Sequence, residues 1–219
     1  MKCILFDHDG TLMNSLESVV IATNRTMAHY GSGNHPAEEI LMDLSSTTHE
    51  RVSKLTGITE PDKVAEMVAY FYTAHTQASK ELTRPYPGVC GMLKRLKKTG
   101  IAMGIVSNCR GDVVREIIEI NGLSSYFPVM LGEEEFIHHK PEPAGLQMGA
   151  LKMGHKTEDC LYIGDGMPDY LGAKAAGMRV GMVTWGNLDK AAVKGLSPDY
   201  IFESPEEIAE LFSNEPALV

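Results

Sequence analysis

Short apolar segments that favour β-strands recur along the chain and alternate with segments of helical periodicity. The strand-like segments are residues 2–6, 101–106, 128–131, 160–163, 179–183 and 199–202. Continuous apolar runs of this length are typical of strands buried on both faces of a parallel sheet. Between them, apolar residues at helical spacing, such as Val89, Met92, Leu93 and Leu96, predict crossover helices. The alternation predicts an α/β fold with a doubly wound parallel sheet.

Residues 15–82 interrupt this alternation. The block has no convincing strand pattern and predicts four helices, at residues 15–30, 36–44, 48–55 and 60–82. It is followed by a stiff proline-containing connector at residues 84–88. The chain of 219 residues is long enough for one core with a modest insert. We therefore expect an α/β core domain at 1–14 and 83–219 and a small all-helical domain at 15–82.

Composition and charge exclude several classes of protein. With 20 Lys and Arg against 29 Asp and Glu, the formal net charge is −9, which argues against a nucleic-acid-binding protein. No apolar stretch approaches the ~20 residues of a membrane span. The four cysteines are widely spaced and form no zinc-binding pattern. These features predict a soluble cytoplasmic protein with reduced thiols, and they imply no membrane, nucleic-acid or protein partner.

Polar and charged residues follow four of the predicted strands. In open α/β sheets, ligands bind outside the carboxyl ends of the strands, so side chains placed there are expected to converge. The residues in these positions are Asp7, Asp9, Ser107, Asn108, Lys140, Asp165 and Asp169. Taken singly, several have plainer explanations, since Ser107 and Asn108 suit a helix cap and Lys140 a solvated surface position. Two carboxylates at the end of a buried strand, Asp7 and Asp9, repel each other and are harder to explain without a function.

Four short motifs carry a resemblance to a known family. They are Asp7-His8-Asp9-Gly10-Thr11-Leu12, Val106-Ser107-Asn108, Lys140-Pro141 and Gly164-Asp165-Gly166-Met167-Pro168-Asp169. In this order they resemble the signature motifs of the haloacid dehalogenase superfamily, in its phosphatase form. The helical block lies where that family carries its small cap domain. The resemblance covers nearly the whole chain and implies a magnesium-dependent hydrolase of phosphate monoesters, similar to phosphoglycolate phosphatase, that acts on a small phosphorylated metabolite.

The resemblance assigns roles to the carboxylates. It implies that Asp7 attacks phosphorus and forms an aspartyl phosphate, and that Asp9 acts as general acid and then as general base. It also implies that Mg²⁺ is bound by the Asp7 carboxylate, the Asp9 backbone carbonyl and the Asp165 carboxylate. Asp169 would orient the metal-bound waters or Lys140.

The remaining motif residues would bind the phosphoryl group. By the same resemblance, Ser107 and the Asn108 backbone N–H hold phosphate oxygens, helped by the N-terminus of the helix that follows. Lys140 would neutralise the negative charge that develops during transfer.

Two other functions stay open at this stage. A phosphohexomutase of the same superfamily would share the motifs but return the phosphoryl group to a sugar. A receiver-like phosphate-binding module would use Asp7 as a slow phosphoryl acceptor, although Asp9 and the helical block argue against it. A dehalogenase is disfavoured because that branch does not keep the second aspartate of the first motif, here Asp9.

The helical block also offers one candidate specificity residue. The block holds nine acidic and five basic residues, so an anionic substrate would need a specific cation there. Arg51 follows a polar break at residues 44–47, and a guanidinium suits a carboxylate or a second phosphate. The alternative interpretation is that Arg51 is a solvated residue on a helix.

Overall fold

The computed structural model describes residues 1–42 and 47–213. The chain divides into two compact units, one of Met1–Asn14 with Arg84–Val219 and the other of Ser15–Thr83. Each unit has its own apolar core.

Among the described residues, all of the strands belong to the first unit. In chain order they are β1 (Cys3–Phe6), β2 (Met13–Asn14), β3 (Arg84–Pro85), β4 (Ala102–Val106), β5 (Val129–Leu131), β6 (Cys160–Gly164), β7 (Arg179–Val183) and β8 (Tyr200–Phe202). Six of them form a parallel sheet of order β5-β4-β1-β6-β7-β8. The remaining two, β2 and β3, pair as an antiparallel ribbon at the two ends of the chain segment that forms the second unit.

The helices alternate with the strands outside residues 15–83. Those of the described residues are α1 (Leu16–His29), α2 (Ala37–Met42), α3 (Thr48–Thr56), α4 (Pro61–Leu82), α5 (Val89–Thr99), α6 (Gly111–Ile120), α7 (Ala144–Lys152), α8 (Met167–Ala176), α9 (Lys190–Leu196) and α10 (Pro205–Ser213). The predicted helix at 36–44 is present as α2, and its last two residues lie outside the described residues. The predicted doubly wound α/β fold is confirmed.

Both faces of the sheet are covered, which explains the continuous apolar character of its strands. In β1, Ile4 and Phe6 pack into the core beneath α5, α6 and α10, whereas Cys3 and Leu5 pack into the core beneath α7, α8 and α9. Successive side chains point to opposite faces, and both faces are buried, so no polar alternation is left in the sequence.

The strand order reverses around β1, which determines where a ligand can bind. The chain proceeds from β1 to β4 and β5 on one side and then crosses to β6, β7 and β8 on the other. The carboxyl ends of β1, β4 and β6 therefore frame the crevice that parallel sheets use for ligands.

The second unit is entirely helical among its described residues. Its core includes Val19 and Met27 from α1 and Met67 and Phe71 from α4. Within this unit, the buried Ser18 hydroxyl lies 3.2 Å from the Ser79 hydroxyl and 3.2 Å from the Thr83 hydroxyl. No helix among the residues that the structure describes is long and apolar enough to cross a membrane.

Candidate active site

The loops at the carboxyl ends of three adjacent strands place most of the predicted site residues in one region of the first unit. Asp7 directly follows β1, Ser107 follows β4, and Asp165 follows β6. Lys140 lies in the segment between β5 and α7, and Asp169 lies in the first turn of α8. All five are buried, although charged and polar residues are seldom buried without partners.

Lys140 is the centre of this cluster. Its Nζ donates hydrogen bonds to Asp7 Oδ1 at 2.8 Å, to Asp169 Oδ1 at 2.6 Å and to Tyr162 Oη at 2.7 Å. Burial would lower the pKa of Lys140, but the charges of Asp169 and Asp7 raise it above its ordinary value. Lys140 therefore stays charged, and the interpretation of this residue as a solvated surface lysine is wrong.

Asp7 has the electrostatic environment of a reactive carboxylate. Burial raises its pKa to about 6, the attraction of Lys140 lowers it, and the charges of Asp169 and Asp9 raise it. Lys140 thus offsets part of the cost of keeping a carboxylate ionised at the end of a buried strand. A group in this state is a functional-site candidate on physical grounds.

Asp169 is already saturated with hydrogen-bond donors. Its Oδ1 accepts from Lys140 Nζ and from Tyr162 Oη at 3.0 Å. Its Oδ2 accepts from the backbone N–H of Asp165 at 3.2 Å and of Gly166 at 2.9 Å. Four donors on two oxygens make Asp169 a scaffold for Lys140 and for the turn that carries Asp165, rather than a ready metal ligand.

Asp165 is fixed from two sides and keeps capacity for a further ligand. Its Oδ1 accepts from Thr11 Oγ1 at 3.2 Å, and its Oδ2 accepts from the Asn187 backbone N–H at 2.7 Å. Burial and the neighbouring Asp169 and Asp7 charges raise its pKa well above its ordinary value. Each oxygen accepts one of these bonds and has a second lone pair for a cation.

The loop after β7 closes around Asp165 and was not singled out by the sequence analysis. Trp185 donates its indole N–H to the Thr11 carbonyl at 3.0 Å, which fastens this loop to the turn after β1. A Cβ atom on Gly186 would collide with Asp165 and with the Gly10 carbonyl, so only glycine fits there. The sequence signal was weak because Trp185 followed by a glycine resembles ordinary packing and a turn.

Asn108 ties the Lys140 segment to the end of β4. Its side-chain amide donates to the Lys140 carbonyl at 2.9 Å, and its Oδ1 accepts from the Lys140 backbone N–H at 2.9 Å. Ser107 is buried, and its Oγ accepts from the Cys109 backbone N–H at 3.2 Å. The Asn108 side chain thus positions Lys140, a contact that the sequence did not indicate.

Tyr162 is a further residue of this cluster that sequence reasoning missed. Its hydroxyl lies within hydrogen-bond distance of the Val106 carbonyl at 3.0 Å and of Asp169 Oδ1. Burial and the charges of Asp169 and Asp7 raise its pKa well above its ordinary value, so the phenol keeps its proton. In the sequence, Tyr162 is part of an apolar strand, where a tyrosine is indistinguishable from a core residue.

Asp9 lies half-buried at the edge of the cluster. One of its carboxylate oxygens is 3.1 Å from Nδ1 of His8, whose ring is buried. The negative charge of Asp9 contributes to the raised pKa of Asp7.

Arg51 belongs to the other unit and is not a solvated helix residue. It lies on α3, is 5% exposed, and has its guanidinium carbon 5.2 Å from the centre of the Phe71 ring. Thr47 caps α3 by accepting from the Glu50 backbone N–H at 3.2 Å. Residues 44–46 of the polar break lie outside the described residues.

The carboxylate cluster has the composition of a magnesium site. Asp7, Asp165 and Asp169 each have one oxygen within 4.8 Å of the others. Carboxylates are ligands that Mg²⁺ prefers, and a cation would relieve the repulsion that raises the pKa of Asp7 and of Asp165. Since Asp169 already accepts four hydrogen bonds, Asp7 and Asp165 are the carboxylates with free capacity.

The fold and the site together define a class of enzyme. A nucleophile-like aspartate, a buried lysine and a second acidic loop at the switch point of a parallel sheet suit phosphoryl transfer. The sequence profile of the haloacid dehalogenase-like hydrolases matches residues 4–183, and the chain belongs to this family.

Proteins with similar sequences and structures carry hydrolase or phosphatase names. The chain is 28% identical over 213 residues to the pyrophosphatase PpaX of Bacillus mycoides, and the match covers 97% of each chain. A haloacid dehalogenase-like hydrolase from Bacteroides fragilis has the same fold with a TM-score of 0.87 and 28% identity, covering 93% of this chain and 97% of that one. A predicted phosphoglycolate phosphatase from Haemophilus somnus has a TM-score of 0.85 and 25% identity, covering 96% and 97%. The protein is thus an enzyme, a hydrolase of the phosphatase class.

Proposed function

We propose that the protein is a magnesium-dependent phosphomonoester hydrolase that acts on a small phosphorylated metabolite of the cytoplasm through an aspartyl-phosphate intermediate. The observation that carries this proposal is the buried Lys140 ammonium, 2.8 Å from the Asp7 carboxylate at the end of the central strand β1. A lysine there holds the nucleophile ionised and attracts a phosphoryl dianion to the same place.

The chemistry follows from the groups around Asp7. The Asp7 carboxylate attacks phosphorus, the bond from phosphorus to the leaving oxygen breaks, and Asp9 gives that oxygen its proton. Asp9 then takes a proton from water as the water attacks the phosphorus of phospho-Asp7. This releases phosphate and restores the Asp7 carboxylate.

Other residues bind and stabilise the phosphoryl group. We propose that Ser107 and the Asn108 backbone N–H hold its oxygens and that Lys140 compensates the charge that develops during transfer. Mg²⁺, held by the Asp7 and Asp165 carboxylates and the Asp9 backbone carbonyl, would supply additional neutralisation of the phosphoryl oxygens. Asp169 maintains the position of Lys140 and of the Asp165 turn.

We propose that residues 15–82 act as a cap domain, that 1–14 and 83–219 are the catalytic core, and that Arg51 binds a second anionic group of the substrate. The chemistry of the guanidinium supports this role, because its planar fork can bind a carboxylate or a phosphate through two parallel hydrogen bonds. The relatives' names suggest substrates with such a second group, namely pyrophosphate and phosphoglycolate.

A substrate panel tests the proposal. Purified enzyme with Mg²⁺ is assayed for phosphate release from pyrophosphate, phosphoglycolate, an aryl phosphate and a hexose phosphate with its bisphosphate activator. We expect release from at least one of the first three, loss of release in chelator, and no release from Asp7→Asn protein, which controls for contaminating phosphatases. Interconversion of hexose phosphates without phosphate release would instead indicate a mutase.

A further inference from the structure

Tyr162 contacts the catalytic lysine although it lies inside the sheet. It is on β6, between β1 and β7, where its backbone pairs with Leu5 and Val180. The residue is fully buried, and its hydroxyl extends to the Lys140 ammonium at 2.7 Å. A central strand is one of the most rigid elements on which a hydroxyl can be placed.

The hydrogen bonds of Lys140 explain what this hydroxyl does. A lysine ammonium has three N–H bonds, and the three acceptors here are Asp7, Asp169 and Tyr162. The first two are carboxylates, and each accepts one N–H of the ammonium. The phenol oxygen is the third acceptor and is neutral. With it in place, there is one position of Nζ from which all three N–H bonds reach an acceptor.

The Tyr162 hydroxyl both accepts and donates hydrogen bonds. It accepts from Lys140 Nζ, and its single proton lies between two acceptors, the Val106 carbonyl and Asp169 Oδ1, each 3.0 Å from the oxygen. Val106 is the last residue of β4 and precedes Ser107. Tyr162 thus connects the ends of two strands to the lysine that lies between them.

We propose that Tyr162 is a positioning residue for phosphoryl transfer, which fixes the Lys140 ammonium against the Asp7 carboxylate. The inference rests on the proposed phosphatase chemistry. The lysine side chain is a flexible four-carbon chain, so its charge alone does not determine where Nζ lies. Without the hydroxyl, Nζ is free to shift between the two carboxylates, whereas its charge and its attraction for phosphate persist.

The test is Tyr162→Phe, which removes one oxygen and keeps the ring in the core. We expect kcat to fall about 10- to 100-fold, since misplacing a catalytic group by about 1 Å has effects of this size. KM for an aryl phosphate should change by less than about threefold, because the lysine charge remains. The Mg²⁺ affinity, measured by calorimetry, should also stay within about threefold, because the hydroxyl does not contact Asp165 or Asp7. Tyr200→Phe on the edge strand β8 is the matched control and should leave all three values unchanged.

A double-mutant cycle separates positioning from a general structural defect. In a Lys140→Met background, measured with enzyme in excess over substrate, adding Tyr162→Phe should lower the rate by less than about twofold, because the group that it positions is absent. An undiminished further loss would overturn the proposal, as would wild-type kcat in Tyr162→Phe or a loss confined to KM.

A measurement on wild-type protein tests the same inference if the Tyr162→Phe variant does not fold. In ¹⁵N-lysine-labelled enzyme the Lys140 ammonium protons should exchange slowly enough with water to be observed, with a contact to the Tyr162 hydroxyl proton. Absence of that contact would overturn the proposal without any variant. Wild-type protein without phosphatase activity would count against the proposed function, whereas active wild type with an unchanged Tyr162→Phe variant would count against this inference alone.

Discussion

Replacing the proposed nucleophile should stabilise the metal-free protein while it abolishes turnover. Burial raises the pKa of Asp7 from 3.8 to about 6, even though Lys140 lowers it. A difference of about two pH units corresponds to about 3 kcal/mol of folding free energy at pH values where the carboxylate is ionised in both states. Asp7→Asn keeps the shape and an acceptor oxygen for Lys140 and removes the buried negative charge. We therefore expect the variant to gain up to about 3 kcal/mol near pH 8.

The stability gained by Asp7→Asn should increase as the pH rises. Because the folded pKa lies above the unfolded one, the favourable contribution of Asp7 is full below pH 3.8 and is lost as pH rises through about 6. The variant lacks this titration, so its advantage over wild type should be largest above pH 6 and should disappear toward pH 3.8. Urea unfolding followed by circular dichroism in chelator, from about pH 4 to about pH 8, measures the difference directly.

A surface aspartate with the opposite pKa shift provides the control. Although partial burial raises the pKa of Asp199, hydrogen bonds from the Val180 backbone N–H and from Lys174 lower it overall. Asp199→Asn should therefore reduce stability at neutral pH, where Asp7→Asn increases it. Excess Mg²⁺ should reduce or reverse the stability advantage of Asp7→Asn, because only the wild-type protein keeps the Asp7 carboxylate as a ligand for Mg²⁺ and is stabilised by binding it. An Asp7→Asn protein that is no more stable than wild type at pH 8, or equally favoured at every pH, would show that the ionised Asp7 carboxylate does not destabilise the folded protein.

Three further substitutions test other parts of the site. Gly186→Ala should displace Asp165, lower the free energy of unfolding by about 1–3 kcal/mol and weaken Mg²⁺ binding about tenfold or more. Calorimetry that shows an unchanged Mg²⁺ affinity would contradict a role of Gly186 in positioning Asp165. Asp9→Asn should form the phospho-enzyme slowly, because the leaving oxygen loses its proton donor, and should stall its hydrolysis, because no base activates water. Acid quenching after mixing with substrate detects the accumulated acyl phosphate. Arg51→Ala should raise KM for pyrophosphate or phosphoglycolate and leave KM for an aryl phosphate unchanged. Lys54→Ala, at an exposed position on the same helix, is the control and should change neither KM. An equal rise in KM for both kinds of substrate would show that Arg51 does not determine specificity.

The sheet was predictable because burial on both faces leaves a strong sequence signal. Strands such as β1 and β6 are continuous apolar runs followed by acidic residues, so their positions along the chain and the charged residues at their carboxyl ends are visible in the sequence. The ribbon of β2 and β3 was missed because two-residue strands have no periodicity.

The proposed catalytic residues were predictable from motif order, but their supports were not. Tyr162 and Trp185 act through one polar atom each, while the rest of each side chain is apolar and packs like a core residue. Asn187 contributes through its backbone N–H, for which any residue except proline would serve. Arg51 was expected to be either a ligand or a solvated residue, and burial against an aromatic ring depends on tertiary packing that local sequence does not encode.

The proposed mechanism requires Asp7 to carry the phosphoryl group, and this can be detected chemically. Enzyme mixed with Mg²⁺ and substrate is quenched in acid and treated with borohydride, which reduces an aspartyl phosphate to homoserine. We predict that the peptide containing residue 7 then carries homoserine at that position, and that the yield rises in Asp9→Asn protein, where hydrolysis is slowed. Phosphate release by wild-type enzyme with unmodified Asp7 in both proteins would rule out Asp7 as the nucleophile, because the phosphoryl group would then pass to water directly or through another residue.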